Sequence, residues 1–386
     1  MNMDTYITEA YSCGTNVLMI LNTDYGLVST PGFRAHKIIE YGETAIDVYA
    51  RHFYAPVSGI SSKPTKLFRS LSRLNKFLRR KNMSNSLLDQ IEEWLFNRGA
   101  LKLIPQYKLI HIFGHSIKLI EYAKSLEKIV IIEGYTHPAY IREMHSKGME
   151  VENERHLWNY SLERSFACAN YIISPSTWVT KSMIKSNIPN SRIKEVKYGV
   201  TQPGIRIKKN SKPLTFMFAG GLKITKGLST LLRAWSMIPS EYHPDIELHL
   251  YGRRFDSTKI LLKEALEQNN NIFYHGFERE LMKEYSRHNI YVYPSFFEGS
   301  SKTVFEAMAH GMPIITTKNS GSVVRDETDG IIVDAENMEQ LTEAIVLLIT
   351  NPILVEEMSI SSLEYSRKFT WERYGRKVNK VYSELL

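Results

Sequence analysis

The stretch 296-FFEGSSKTVFEAMAHGMP-313 carries two acids, Glu298 and Glu306, with seven residues between them. The first follows the strand-like run IYVYP (290–294), so it sits on a loop at a strand's carboxyl end. Residues 299-GSSKT-303 then lead into a helix with Phe305, Met308 and Ala309 on its apolar face, stopped by Gly311 and Pro313. The amides of Gly299, Ser300, Ser301, Lys302 and Thr303 fall at that helix N-terminus, where free N–H groups and the dipole favour phosphate. A carboxylate beside such a phosphate can accept hydrogen bonds from sugar hydroxyls, and Glu306, one turn on, can hold a ribose diol. A plainer reading stands beside this one. Thr303-x-x-Glu306 also fits a capping box worth ~0.5–2 kcal/mol, and Glu298 alone reads as a solvated loop acid. Spacing by itself leaves both open.

Upstream, 218-FAGGLKITKGLSTLLRAW-235 reads as a strand, a turn built on Gly220 and Gly221, and a helix with Lys226 in its first turn. A cation there opposes the helix dipole unless an anion lies between them, which predicts a phosphate held by Lys226 and backbone amides. An exposed lysine is the equal alternative. His111 and His115 in LIHIFGHS, and His137 in IIEGYTHPAY, gather near two strand ends. His111 lies within its strand and reads as a core histidine. Glu133 is either a cleft carboxylate or half of a structural ion pair.

These residues need a scaffold, and the chain supplies a recurrent one. At 386 residues it is long enough for two domains with separate cores, and 43% hydrophobic and 11% aromatic content is that of an ordered globular chain. Apolar strand-like runs fall at 16–22, 45–50, 108–113, 129–133, 170–174, 214–220, 246–252, 271–276, 290–294, 312–316 and 330–334, with helical stretches between them. Continuous apolar strands alternating with helices predict parallel sheets buried on both faces. Two such sets predict an α/β chain of two doubly wound, Rossmann-like domains facing across a cleft, with ligands at the carboxyl ends of the strands. The Gly-, Pro- and Lys-rich segment 199-GVTQPGIRIKKNSKP-213 marks the boundary, giving domains over 1–203 and 204–369.

Only Cys13 and Cys168 are present, which argues against a disulfide framework. Neither a charged-then-apolar leader nor an apolar run of bilayer length occurs, so the expectation is a cytoplasmic chain. Residues 1–200 hold 26 Lys and Arg against 18 Asp and Glu, which accounts for the whole net charge of +8. Much of that excess lies in 63-KPTKLFRSLSRLNKFLRRKNMS-84, from Lys63 to Lys81, which contains no acid. Leu67, Phe68, Leu71, Leu74, Phe77 and Leu78 recur there at helical spacing. Such a basic amphipathic helix suits an anionic lipid surface and a peripheral position on the inner face of the plasma membrane. The alternative is an apolar face packed on the domain with solvated charges outside. Nucleic acid is not expected, because no binding motif accompanies the charge.

Taken together, the sequence resembles retaining glycosyltransferases of family 4, which have the GT-B architecture. The resemblance rests on the turn from Gly220 to Lys226-Gly227, on YPSFFEGSSKTVFEAMAHGMPII (293–315) and on VVRDETDGIIVD (323–334). CANYIISPSTWV (168–179) and YGV (198–200) resemble the family's domain-closing segment. FTWERYGRKVNKVYSELL (369–386) resembles its last helix, expected over 370–386 and packing back on the first domain. The resemblance implies Lys226 as diphosphate ligand, Glu298 on the donor sugar, Glu306 on the ribose, and the amides of 299–303 on the distal phosphate. Gly276 joins the donor set. Pro31-Gly32 resembles the family's glycine loop, with Arg34 as an extra cation, though a plain tight turn fits as well. His137 lies where the family places a sugar-binding histidine, and His115, Arg34 and Glu133 are the acceptor candidates. Three departures concern the donor. Gly221 stands where the family often has Arg, leaving Lys223 as a replacement. Gly-Ser-Ser-Lys replaces Gly-Phe-Gly after Glu298, and 319-NSGSVV-324 lacks the usual Pro-Glu pair.

The implied reaction moves a sugar, with retention, from a nucleotide diphosphate sugar of UDP or GDP type to a hydroxyl of a glycan or lipid-linked acceptor. No resident cofactor is expected. The absence of any Asp-x-Asp agrees with a metal-independent enzyme. The rivals on this scaffold are a nucleotide-sugar epimerase, a sugar phosphorylase and a non-catalytic nucleotide-sugar-binding subunit.

Overall fold

The computed structural model describes residues 15–26, 30–53, 55, 61–62, 64–80, 86–134, 158–203 and 213–386. In the first half, the elements are β1 (Val17–Leu21), α1 (Thr30–Glu40), β2 (Ile46–Ala50), β3 (Ser61–Ser62), α2 (Lys66–Arg80), α3 (Ser86–Leu103), β4 (Leu109–Phe113), α4 (Ile117–Ser125), β5 (Ile129–Glu133), α5 (Trp158–Cys168), β6 (Tyr171–Ser174), α6 (Thr177–Lys185) and β7 (Ile193–Glu195). The second half runs β8 (Leu214–Ala219), α7 (Leu228–Ser236), β9 (Ile246–Tyr251), α8 (Lys259–Gln268), β10 (Ile272–Gly276), α9 (Leu281–Tyr285), β11 (Ile290–Tyr293), α10 (Lys302–Ala309), β12 (Ile314–Thr317), β13 (Gly330–Val333), α11 (Met338–Thr350), α12 (Pro352–Ser366) and α13 (Trp371–Leu385).

Two sheets result, ordered β3-β2-β1-β4-β5-β6-β7 and β10-β9-β8-β11-β12-β13. Every pairing within them is parallel, as between Val17 and Ile46 or Leu214 and Ile246. Helical crossovers cover both faces, which is why the strands read as unbroken apolar runs. In β1 the alternation is explicit. Leu18 and Ile20 join one core with Phe96 and Ile112, whereas Val17, Met19 and Leu21 join another with Ile38 and Tyr382. The second sheet has its own core around Phe216, Trp235 and Leu248. All eleven expected strands are present. The two the sequence does not announce, β3 and β7, are short edge pieces of two and three residues.

The last helix crosses back to the first sheet. Trp371, Tyr374, Val378 and Tyr382 of α13 pack in the core that α1 covers. Asn379 donates to Ile38 O at 2.8 Å and accepts from Thr44 N at 3.1 Å. Among the described residues no single helix is long and apolar enough to cross a membrane.

Candidate functional site

Lys226 and Glu298, 72 residues apart in sequence, meet with Nζ 2.5 Å from Oε1. Each is about one-fifth exposed, at the carboxyl ends of β8 and β11. Local chemistry places both. Beyond β8, Ile224–Lys226 forms a 3-10 turn, and Gly227 takes a left-handed φ of 79° before α7 begins at Leu228. A Cβ on Gly227 would lie 2.0 Å from Pro294 O, so only glycine lets the turn sit this close to the β11 loop. The sequence expectation of Lys226 in the helix's first turn is corrected accordingly. The lysine precedes the helix in a turn of its own, with Gly227 as the N-cap between them.

That turn is laced to the loop after β11. Ser295 Oγ and Phe296 N both donate to Thr225 O at 3.1 Å. The glycine loop after β12 holds the other side. Glu298 N donates to Asn319 O at 3.1 Å, Ser301 N donates to Ser320 O at 3.0 Å, and Asn319 Nδ2 donates to Phe296 O at 3.1 Å. From the first half, Ser176 Oγ donates to Gly299 O at 2.6 Å and Phe297 packs on the first core, so both halves meet at this loop.

Two buried tyrosines hold the two glutamates, and neither was singled out from the sequence. Tyr293 OH donates to Glu298 Oε1 at 2.8 Å, and Tyr285 OH donates to Glu306 Oε2 at 3.0 Å. Burial first, then the neighbouring charges, pushes both hydroxyls well above the ordinary tyrosine range. They therefore stay protonated donors at any physiological pH. Their signal in the sequence is a hydroxyl-bearing ring in or beside a buried strand, which must find an acceptor. The capping box does not form. Ser301 is the N-cap of α10, its Oγ lies 3.1 Å from Thr303 Oγ1, and Thr303 is already helical. Glu306 instead faces Tyr285 and, at 3.0 Å, Lys302 Nζ.

The remaining candidates divide. Gly220 and Gly276 both have positive φ at strand ends, 155° and 76°. Lys223 Nζ lies over the Phe255 ring, 4.2 Å from its centroid. Gly32 is inside the first turn of α1, not in a glycine turn ahead of it. Arg34 and Glu133 are corrected from acceptor contacts to core. Each is 1% exposed, and Arg34 Nη1 donates to Glu133 Oε2 at 2.5 Å and to Tyr198 OH at 2.7 Å. His111 is the expected core histidine, 2.5 Å from Tyr382 OH and 3.3 Å from Glu133. His137 lies outside the described residues.

His115 lines a cavity of about 510 Å³ at the ends of β1 and β4, among Ile20, Phe96, Ile112 and Leu162. Burial lowers its pKa to about 4, against an opposing pull from Glu133, so the ring is neutral. A second, polar cavity of about 490 Å³ lies beside it and shares Asn22 and Thr23.

Two parallel, helix-covered sheets meeting at strand-end loops define the GT-B glycosyltransferase architecture. The Anabaena protein HepE, solved with UDP and glucose, matches in fold with a TM-score of 0.65 at 13% identity, over 95% of this chain and 99% of its own. Residues 205–364 match the family model for glycosyl transferases group 1. An uncharacterized glycosyltransferase of Haemophilus influenzae is 29% identical over 163 residues, 41% of this chain and 46% of that protein. That match therefore spans less than half of the relative's length. The O-antigen chain mannosyltransferase B of Escherichia coli is 24% identical over 355 residues, covering 83% of this chain and 90% of its own.

Proposed function

We propose that this chain is a glycosyltransferase moving a sugar from a nucleotide diphosphate sugar to a hydroxyl of a glycan or lipid-linked acceptor, with retained anomeric configuration. The observation that carries the reading is the Lys226–Glu298 contact, held four residues ahead of the N-terminus of α10. An ammonium and a row of helix-terminal amides are what a departing diphosphate requires. Without a donor, Lys226 leans on Glu298. With one bound, the lysine turns to the diphosphate and Glu298 takes up sugar hydroxyls. Glu298 Oε1 already receives both Lys226 and Tyr293, so Oε2 is the oxygen left for the sugar. Ser300 Oγ is buried without a hydrogen-bond partner among the described residues, as befits a group that awaits a phosphate oxygen. Glu306 takes the ribose. A UDP- or GDP-type donor fits, and HepE, of like fold, was solved with UDP.

Thermal-shift measurements over UDP-, GDP- and ADP-sugars test the donor class. A ligand at about 100 times its Kd adds ~2.7 kcal/mol, which one of the three series should show. Lys226→Ala should then lower transfer by ~10²–10³ with the fold intact. Wild-type turnover in that variant removes Lys226 from the mechanism. Consumption of the sugar nucleotide without any acceptor, and without nucleotide release, favours an epimerase instead.

A further inference from the structure

The two stretches that join the halves touch through a parallel bridge between Val200 and Thr370. Beside that bridge lies a cavity of about 300 Å³, far in sequence from Lys226 and Glu298. The stretch after β7 supplies Glu195 and Lys197 to its wall, and the return from α12 into α13 supplies Lys368, Arg373 and Lys377. Four cations therefore converge on one cavity from separate parts of the chain. Scattered surface lysines are ordinary, but a shared wall of them raises a local positive potential.

The charges in that wall do not cancel. Among the described residues that line the cavity, Glu195 is the one acid. Its carboxylate is already engaged, because Thr177 Oγ1 and Thr180 Oγ1 each donate to it at 2.9 Å and Lys197 Nζ lies 3.7 Å away. Lys368, Arg373 and Lys377 have no acid of their own in the wall. Cations just outside it do have one: Arg376 pairs with Glu372 at 2.9 Å, and Arg325 with Asp329 at 2.7 Å. Arg373 is also tied down, since its Nη1 donates to Lys368 O at 3.2 Å. It lies in the first turn of α13, three residues past the N-cap Thr370. A cation at that end of a helix opposes the dipole unless an anion shares the place. The Tyr365 ring in the wall already carries Arg325 at 3.9 Å and Lys368 at 5.1 Å, so the cavity offers charge rather than a platform for a base.

We propose that this cavity binds a compact oligophosphate, of diphosphate or triphosphate size, which cross-links the two stretches joining the halves. Ammonium and guanidinium groups approaching from several sides suit a multiply charged phosphate, and an enclosed cavity of this volume suits a small one. The site is separate from the Lys226–Glu298 contact and stands whether or not the transferase reading holds. A free anion and a nucleotide offer the same diphosphate chemistry, and the test separates them.

The full chain carrying Lys226→Ala, which weakens the candidate donor site, is titrated calorimetrically with pyrophosphate, with UDP and with sulfate. Pyrophosphate is expected to bind, less tightly as salt rises, and to protect amides of residues 196–200 and 368–374 from hydrogen exchange. Adding Lys368→Gln/Lys377→Gln, at exposed positions, should keep the melting temperature and weaken that binding about tenfold or more. Lys368→Arg/Lys377→Arg should retain it, which separates recognition of charge from damage to the fold. UDP bound with the same protection, and lost in the same Gln variant, supports the site with a nucleotide as the source. Pyrophosphate bound without UDP supports it with the free anion. The proposal is overturned if pyrophosphate does not bind, if the Gln variant binds it equally well, or if the Arg variant loses it as fully. Sulfate bound as tightly means an adventitious anion only and overturns it too. So does protection confined to residues 299–303, which assigns the anion to the loop before α10.

Discussion

His115 and Glu133 sit near each other at the strand ends of the first sheet, and the fold holds both away from their ordinary titration. Burial drives His115 down to about 4, so the folded chain keeps the ring neutral. In the unfolded chain it titrates near 6.5. Between those values the unfolded state binds the extra proton, and stability falls as pH drops from about 6.5 toward 4. Burial alone would raise Glu133, but Arg34 and His111 outweigh it and hold the carboxyl below its usual value. Its contribution is therefore present above the ordinary glutamate range and is lost only at more acid pH. Thermal melts should show the first loss below about pH 6.5, reaching up to about 3 kcal/mol by pH 4. His115→Asn should flatten that limb, and an unchanged pH profile would count against a buried neutral ring. At this scale the sequence is legible where a residue's neighbours are local. Glu298 at a strand end and His111 within a strand can be read from the adjoining apolar runs. The Arg34–Glu133 pair and the Asn75–Glu92 bond cannot, because they join residues whose approach depends on how helices settle over the sheet.

Among the elements, the turn between β8 and α7 does most to define the candidate site. Its two glycines are readable as a turn, but the position of the helix start is not. Gly227 adopts the left-handed region, closes the 3-10 turn and begins α7 two residues after Lys226. The close approach of Pro294 O is a tertiary fact that no local pattern records. Gly321 is alike, at φ 61° with a Cβ that would fall 2.3 Å from Gly299 O. Gly227→Ala combines left-handed strain of about 1–2 kcal/mol with a backbone clash, so a loss of about 2 kcal/mol or more is expected. Urea unfolding measures it as a lower midpoint. Donor affinity should fall as well, because the turn that carries Lys226 must retreat from the β11 loop. An Ala variant with unaltered midpoint and donor affinity would show that the two loops need not touch. The strands β3 and β7 escape sequence reading for a different reason, since two or three residues hold no periodicity to detect.

Over the whole molecule, the chain crosses between the halves twice, and the crossings are tied together. Val200 N donates to Phe369 O at 2.9 Å, and Gln202 Nε2 donates to Ser366 O at 3.0 Å. The return ends in α13, whose Trp371, Tyr374, Val378, Val381 and Tyr382 are buried in the first half's core. At ~1.5–3 kcal/mol for each buried side chain, that face contributes on the order of 10 kcal/mol, as much as a typical domain's net stability. The first sheet is therefore completed by residues that follow the second in sequence. Gly375 marks a close backbone approach within this docking, because a Cβ there would lie 2.3 Å from Lys37 O in α1. Gly375→Val should lift α13 from α1 without touching either strand-end loop of the second half. Hydrogen exchange distinguishes the outcomes. Amides of α1, β1 and β4 should lose protection while those of β8, β11 and β12 keep theirs, since the second core contains no residue of α13. Equal loss in both sheets would instead make the two halves one cooperative unit, and the candidate site would then unfold together with α13.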